Sequence, residues 1–425
     1  MVVPMTNIKP TLLSDIVSVE RFAAEIAAGR IQERSHPADP DLRIYSYTKL
    51  TQFGGLWTPE SRLARGLIVQ VPGGDFEQAV VKGRGLPKFF TVSQIVDSDW
   101  GRAKLIDDDE NVVVDEAPEI PWHLPATVAE KLNGALGLGY IDSSGRFRIS
   151  TKGSFDSLEA RVSNRVLDTK YAAATEFFSR FDDGTTMLFE IITPERPHPV
   201  DYGNLEDLIF LGTVEHGTGN WTPAQGDEDA VLMGFPFAQT KKVKTLREAV
   251  DLPYEDNTEG FVVTVVGAGP EAIYKVKPGE YLRLRKLFYA LQENELKELV
   301  STREFTDQLD KIDGPGAIDL SVLVGDLKLN GQMEGMLEKR RAMIFEEIVA
   351  PAQRLVDEFR RELLRFAEDS MDTIGNMPRG EVATWINQGN KTYRGLFFAA
   401  YDSLISDEMA KVNSLAVKFV LADKR

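Results

Sequence analysis

Lys131 lies in the stretch EKLNG, Glu130 to Gly134, just before a strand-like run, ALGLGYI. A lysine in this setting is a candidate covalent nucleophile. With an unperturbed pKa of about 10.4 it is protonated at neutral pH and has no free electron pair. Burial, or other cations close by, disfavours the ammonium form and releases the pair. Two such cations stand in YKVK, where Lys275 and Lys277 are two apart on a strand-like run and therefore share a face. Gly134 adds a position where the missing side chain lets a ligand reach the backbone. K-x-x-G recurs by chance in chains of this size, so its weight comes from the order of its partners.

Those partners are basic and acidic in a useful mixture. Arg65, Lys88 and Lys152 join Lys275 and Lys277 around the candidate nucleophile in the β-rich part of the chain. Cations of this kind suit a triphosphate, because they neutralise charge on the phosphoryl group under attack and on the departing diphosphate. Glu190 sits inside the apolar run TMLFEII and needs a partner, since a bare buried charge is costly; Glu259 heads EGFVVTVV. The two acids suit ribose hydroxyls or a magnesium ion, which prefers oxygen ligands. Taken singly, each of these residues reads equally well as a member of an ordinary exposed ion pair.

Several elements must position them. Helical spacing at Ile16, Val19, Phe22, Ala23 and Ile26 is followed by strand, turn and strand in LARGLIVQV, PGGD and FEQAVV. KGRGLPKFF then sets Lys82, Arg84 and Lys88 beside two aromatics; its glycines fit part of a dinucleotide pattern, but no helix follows at the right spacing. Residues 101–128 are acidic, with DDDE at Asp107 to Glu110, and read as a solvated connection. GLGYI, DSSG and RFRIS read as a hairpin running into TKGSF, with a helix after it to about Phe181. LFEIITPERP and LIFLGTV are strands, and EGFVVTVV with AIYKVK forms a second hairpin, Glu259 opening its first strand. Beyond about residue 280 the period becomes helical, at Leu284, Leu287, Phe288 and Leu291, at Val356, Phe359, Leu363 and Phe366, and from Leu396 to Leu404. Breaks are expected at Gly314-Pro315-Gly316, at Pro351 and at Pro378-Arg379-Gly380. The expected class is α+β, with antiparallel sheets flanked by helices over residues 1–279 and an all-helical domain over 280–425.

Composition narrows the function. The chain of 425 residues is 43% hydrophobic and 27% charged, as for soluble globular proteins of two or three domains. It has no run of ~18 apolar residues and no basic start with a long apolar core, so neither a membrane span nor a secretory signal is expected. There is no cysteine, which excludes disulfides and thiolate-bound zinc and fits a reducing compartment. His36, His123, His198 and His216 lack metal-ligand spacing. The net charge of -17 argues against a whole-surface nucleic-acid binder. Residues 351–425 carry 11 basic and 11 acidic residues, so the acidic excess lies earlier and any polyanion site must be local and walled by basic side chains.

The ordered set EKLNG, LFEIITP, EGFVV and YKVK resembles the nucleotidyl-transfer motifs of polynucleotide ligases and capping enzymes. ARGLIV and PKFF before the lysine, TKGSF after it, and the helical C-terminal part are similar to the RNA ligase 1 family of T-even bacteriophages; the motifs span roughly residues 62–277. The resemblance implies a nucleotidyltransferase domain and an ATP-dependent RNA ligase. Lys131 would take AMP from ATP, pass it to an RNA 5′-phosphate, and a 3′-hydroxyl would then seal the strand. Carried over residue by residue, Arg65, Lys88 and Lys152 would contact ATP or RNA phosphates. Glu130 and Gly134 would flank the nucleotide, and Glu190 would hold ribose or metal. Glu259 would bind the catalytic metal, and Lys275 and Lys277 the α-phosphate. The implied cofactors are ATP and Mg2+, with Mn2+ a substitute, and the implied partner is RNA with 5′-phosphate and 3′-hydroxyl ends, such as a broken tRNA. A companion enzyme would be needed to heal other ends. The cytoplasm, or a host cytoplasm for a phage protein, is the implied location.

Asn133 departs from the family, which usually has aspartate there; this removes a negative charge beside the lysine and puts a metal or ribose contact in doubt. Arg354, Arg361 and Arg365 lie on one side of a helix and read as a solvated face with salt bridges to Asp357, Glu358 and Glu362, against the alternative of an RNA-contacting ridge. Competing readings are a DNA ligase or capping-type enzyme, against which the helical tail counts, and an inactive nucleotide- or RNA-binding module.

Overall fold

The structure is a computed structural model; it describes residues 9–92, 94, 104–106, 112–114, 120–178, 184–224, 234–269, 272–291, 298–389, 391–406 and 408–423. The chain divides into two compact units, Met1–Tyr281 and Leu282–Arg425.

The first unit is built on antiparallel sheets with flanking helices. In chain order its strands are β1 (Ile31–His36), β2 (Asp39–Tyr47), β3 (Arg65–Gln70), β4 (Val80–Gly83), β5 (Lys104–Ile106), β6 (Val112–Val114), β7 (Ala126–Glu130), β8 (Ala135–Ile141), β9 (Phe147–Thr151), β10 (Thr185–Ile192), β11 (Asp207–Glu215), β12 (Trp221–Pro223), β13 (Thr240–Val243), β14 (Phe261–Val265) and β15 (Ile273–Val276). They pair as β1-β2-β3-β4, as β12-β11-β10-β8-β9, as β13-β7-β14-β15, and as the ribbon β5-β6. The β8–β9 hairpin turns as its sequence demands: Asp142 Oδ1 accepts the N–H groups of Ser144 (2.9 Å) and Arg146 (3.0 Å), and Gly145 takes a positive φ of 78°.

Apolar faces close the layers. Leu42, Ile44 and Ile68 of the first sheet meet Leu138, Tyr140 and Leu188 of the second. The other face of the second sheet buries Phe147, Ile149 and Phe189 against Val162, Val166 and Leu167 of the helix Leu158–Thr169. Ser157 caps that helix by accepting the Ala160 N–H at 3.2 Å. Strands β1 and β2 were not expected; the helical run before them, Val19–Ala27, is present, and the exposed, polar residues of β1 are a weak strand signal. The acidic connection holds the short ribbon β5-β6, while DDDE and the expected helix end at Phe181 lie outside the described residues.

In the second unit every regular element among the described residues is a helix or a helical turn. Leu284, Leu287, Phe288, Leu291, Val356, Phe359, Leu363, Leu396, Phe397, Ala400 and Tyr401 share one buried core, so the helical spacing in the sequence marks the buried faces. The break expected at Pro351 is absent. Helix Gly331–Ile344 passes through a π turn, Phe345–Val349, into Ala350–Asp369. A proline lacks an N–H and crowds the carbonyl four residues back, and the widened turn absorbs both without ending the helix. Arg354, Arg361 and Arg365 are exposed, and among the described residues none forms the salt bridge expected with Asp357, Glu358 or Glu362; Arg361 Nε donates instead to the Asp357 carbonyl at 3.2 Å. No helix among the described residues is long and apolar enough to cross a membrane.

Candidate active site

Lys131 lies where the chain leaves β7 of one sheet and enters β8 of another, so its loop joins two sheets of the first unit. Its backbone N–H donates to the Gly260 carbonyl at 2.8 Å, next to Glu259. Its Nζ lies 2.9 Å from Glu259 Oε1, and the same oxygen accepts from Lys277 Nζ at 2.6 Å. The Lys131 side chain keeps 18% of its surface exposed, while Glu259 is buried. Glu259 was expected at this site as a metal or ribose ligand; the structure sets its carboxylate between two of the lysines. Burial pushes the Glu259 carboxyl up, and Lys131 and Lys277 outweigh it, holding the carboxyl below its ordinary range.

Glu259 precedes β14 rather than opening it. The intervening Gly260 has φ 116°, and a Cβ there would lie 2.1 Å from the Val276 carbonyl, so this crossing of strands requires glycine. Gly134 likewise serves the backbone. A Cβ at Gly134 would sit 2.4 Å from the Ile191 carbonyl, so close packing on β10 by itself requires the glycine. Its N–H is occupied by Glu190 Oε1 at 2.6 Å.

Glu190 lies on β10 opposite Leu136 of β8 and is buried. Burial lifts its carboxyl to about 7; Lys131 pulls against this, Glu259 adds to it, and the Gly134 N–H and Arg65 oppose it. Between about 4.5 and about 7 the folded chain therefore holds a proton that the unfolded chain has lost, so this group removes stability as pH rises through that window. Glu190→Gln is expected to lack the loss, and to gain about 1–3 kcal/mol on the unaltered protein between pH 5 and pH 8. Denaturant titrations in chelator-containing buffers at both pH values measure the difference; an equal gap at the two would contradict it.

Lys275 pairs with Val262 of β14, and its Nζ donates to the Phe89 carbonyl at 3.2 Å and lies 4.3 Å from the Phe89 ring centre. Burial, and then Arg65, Lys88, Lys131 and Lys277, hold its pKa well below the usual lysine value. The cationic crowding foreseen for Lys131 is seen at Lys275. Arg65, the first residue of β3, sits 5.3 Å from the same Phe89 ring and donates to the Leu86 carbonyl at 3.2 Å. Lys88 Nζ lies over Trp57 (5.2 Å), Phe90 (5.4 Å) and Tyr47 (5.6 Å). Lys152 is exposed, and its Nζ donates to the Tyr47 hydroxyl at 3.4 Å. Aromatic faces, more than carboxylates, hold these cations together, which leaves their charge available to an anion.

Of the expected residues, Lys131, Glu190, Glu259, Lys275, Lys277, Arg65, Lys88 and Lys152 converge. Glu130 ends β7 exposed. Partial burial and Glu255 raise its carboxyl, and among the described residues no contact ties it to the lysines. Arg84 turns away, donating to the Gly217 carbonyl at 3.1 Å. Three tyrosines are additions. Burial pushes the Tyr47 phenol up, but Lys152, Lys88 and Arg65 outweigh it and hold it below the usual tyrosine value; no sequence signal marked it. The Tyr202 hydroxyl accepts the Asn133 N–H at 2.8 Å, and the Tyr281 hydroxyl meets Asn133 Nδ2 at 2.5 Å. Asn133 is buried, bonded between these two phenols.

No protein-family model matches the chain, and no curated protein matches it. Among solved structures the chain is similar to an archaeal ATP-dependent RNA ligase at 16% identity, covering 80% of this chain and 80% of that one, with a TM-score of 0.42. It is also similar to a Naegleria gruberi RNA ligase with PPi at 12% identity, covering 38% of this chain and 52% of that one, with a TM-score of 0.31. Similarity at this level assigns no residue and no activity.

Proposed function

We propose that the protein is an ATP-dependent RNA ligase that works through a lysyl-AMP intermediate on Lys131. The observation that carries this reading is the single Glu259 oxygen shared by Lys131 and Lys277, beside a cluster of cations held by aromatic rings. A half-buried amine next to a cluster built for an anion suits attack on a phosphate ester better than it suits a structural ion pair. Lys131 Nζ would bond to the α-phosphorus of ATP as the bond to the departing diphosphate breaks. Lys275, Lys277, Arg65, Lys88 and Lys152 would hold the phosphates. AMP would then pass to an RNA 5′-phosphate, and a 3′-hydroxyl would displace it.

Among the described residues no group of three or more acids or histidines is placed to hold a metal ion. The site offers Glu259, with one oxygen taken by two lysines, and Glu190, with one oxygen on the Gly134 N–H. This donor set fits Mg2+ or Mn2+, ions that take one or two protein carboxylates and fill the shell with water and phosphate oxygens. Such an ion would neutralise charge on the phosphates. RNA repair, with 5′-phosphate and 3′-hydroxyl ends supplied directly or by a healing enzyme, is the role this chemistry suits. The helical second unit would be the part that selects the RNA.

The test is covalent labelling. The protein is incubated with labelled ATP, GTP or NAD and a divalent metal, then denatured. Acid-labile label from ATP alone, followed by sealing of RNA ends, is the expected result. Label from GTP would indicate capping chemistry, sealing of DNA alone a DNA ligase, and no label from any nucleotide a binding module.

A further inference from the structure

The segment after β10 is held at many points. Arg165 clamps Glu195 at 2.9 Å and Glu206 at 2.8 Å, drawing the two ends of the loop together. Asp201 and Asn257 exchange two bonds, Asp201 N–H to Asn257 Oδ1 at 2.8 Å and Asn257 Nδ2 to the Asp201 carbonyl at 2.7 Å. Asn257 adopts φ 60°, a left-handed conformation that asparagine tolerates, two residues before Glu259. The next residue of the loop, Tyr202, accepts the N–H of Asn133, two residues after Lys131. The contacts form a closed ring: Lys131 to Glu259 by the ion pair, Asn257 to Asp201 by the exchanged bonds, and Tyr202 back to Asn133. The Lys131 turn is thus tethered on both sides, by the Gly260 carbonyl at residue 131 and by the Tyr202 phenol at residue 133.

We propose that Tyr202 is a positioning residue for the nucleophile, fixing the Lys131 turn through the Asn133 N–H, with the Asn257–Asp201 pair holding the phenol in place. Residues 131–134 lie between two strands, so the Asn133 N–H has no ladder partner and depends on this phenol. Phenylalanine at 202 keeps the ring and leaves that donor unpaired. A reacting group displaced by a fraction of an ångström loses rate before it loses ligand affinity.

This inference rests on the labelling activity proposed above, so wild-type labelling is the control. If the wild type takes no label, the functional reading falls and takes this one with it. The measurement is the single-turnover rate of covalent labelling across ATP concentrations for wild type, Tyr202→Phe and Asn257→Gly, with a melting curve for each. Asn257→Gly keeps the left-handed backbone and removes the amide. Both variants are expected to slow labelling at saturating ATP by about tenfold or more, with half-saturating ATP changed by less than about twofold. The double variant is expected to fall short of the product of the two, since both cut one ring. Wild-type rates in a folded Tyr202→Phe would overturn the proposal. So would a slowing matched by weaker ATP binding, or a collapse of melting in both variants.

Discussion

Lys275→Met is expected to unfold at a higher temperature than the unaltered protein at pH 7 and yet to take no covalent label from ATP. The lysine is mostly enclosed, its amine set on the Phe89 ring and carbonyl, and burial with four neighbouring cations holds its pKa well below the usual value. A lysine whose folded pKa lies below its unfolded one costs stability. The cost is full below the folded pKa and disappears as pH rises past about 10.4, where the unfolded chain also loses its proton. Methionine has a similar length, fills the same space and carries no charge. The gain at pH 7 should be about 1 kcal/mol or more, the scale seen when buried ionic groups are replaced by apolar ones. It should shrink as the pH approaches 10. The label is lost because the cation that would face the α-phosphate is gone. Melting curves at pH 7 and pH 10 with a labelling assay read both effects; a Met variant that melts lower at pH 7, or that labels normally, would remove Lys275 from the site.

The second large effect is expected at Glu259. Replacing it with glutamine keeps the shape but leaves Lys131 and Lys277 without the charge they share at 2.9 and 2.6 Å. Breaking a buried pair from one side leaves uncompensated charge, and the expected loss is about 3–5 kcal/mol at pH 7 with no labelling. The pH dependence has the opposite sign to that of Glu190. The two lysines overcome burial and hold the Glu259 carboxyl low, so its stabilisation is present above the unfolded carboxyl value of about 4.3 and is lost as pH falls through the folded one. The gap between Glu259→Gln and the unaltered protein should therefore narrow below about pH 4. Urea unfolding at pH 7 and pH 3.5 measures it; a gap that stays constant, or that is under about 1 kcal/mol at pH 7, would show that the shared carboxylate does not hold the lysines.

The candidate residues stood out in the sequence because charged groups inside apolar runs are conspicuous one at a time. Glu190 within TMLFEII and Lys275 within AIYKVK need no partner in view to look unusual. Contacts between remote segments were not legible in the same way. Nothing near Lys131 announces that Glu259 lies between it and Lys277, or that a loop after β10 reaches Asn133 through Tyr202. The packing role of Gly134 was not legible for a related reason: Ile191 passes close behind it, and that neighbour belongs to another strand. The helical class of the second unit was readable, since spacings of three and four over residues 284–291, 356–366 and 396–404 mark buried faces locally. The helices Gly331–Ile344, Arg379–Gln388 and Ala410–Asp423 were not singled out, and Pro351 did not break its helix. Strand β1 was hidden because its exposed, polar positions carry little of the alternation that identifies a strand, while β2 buries Leu42, Ile44, Tyr45 and Ser46 and was missed.

The most direct test is to locate the nucleotide on the chain. The protein is incubated with ATP and Mg2+ and digested under conditions that preserve a phosphoramide, and the modified peptide is sequenced by mass spectrometry. The expected result is AMP on Lys131 alone, removed by mild acid and missing from Lys131→Ala. AMP on another residue, or label that persists in Lys131→Ala, would contradict it.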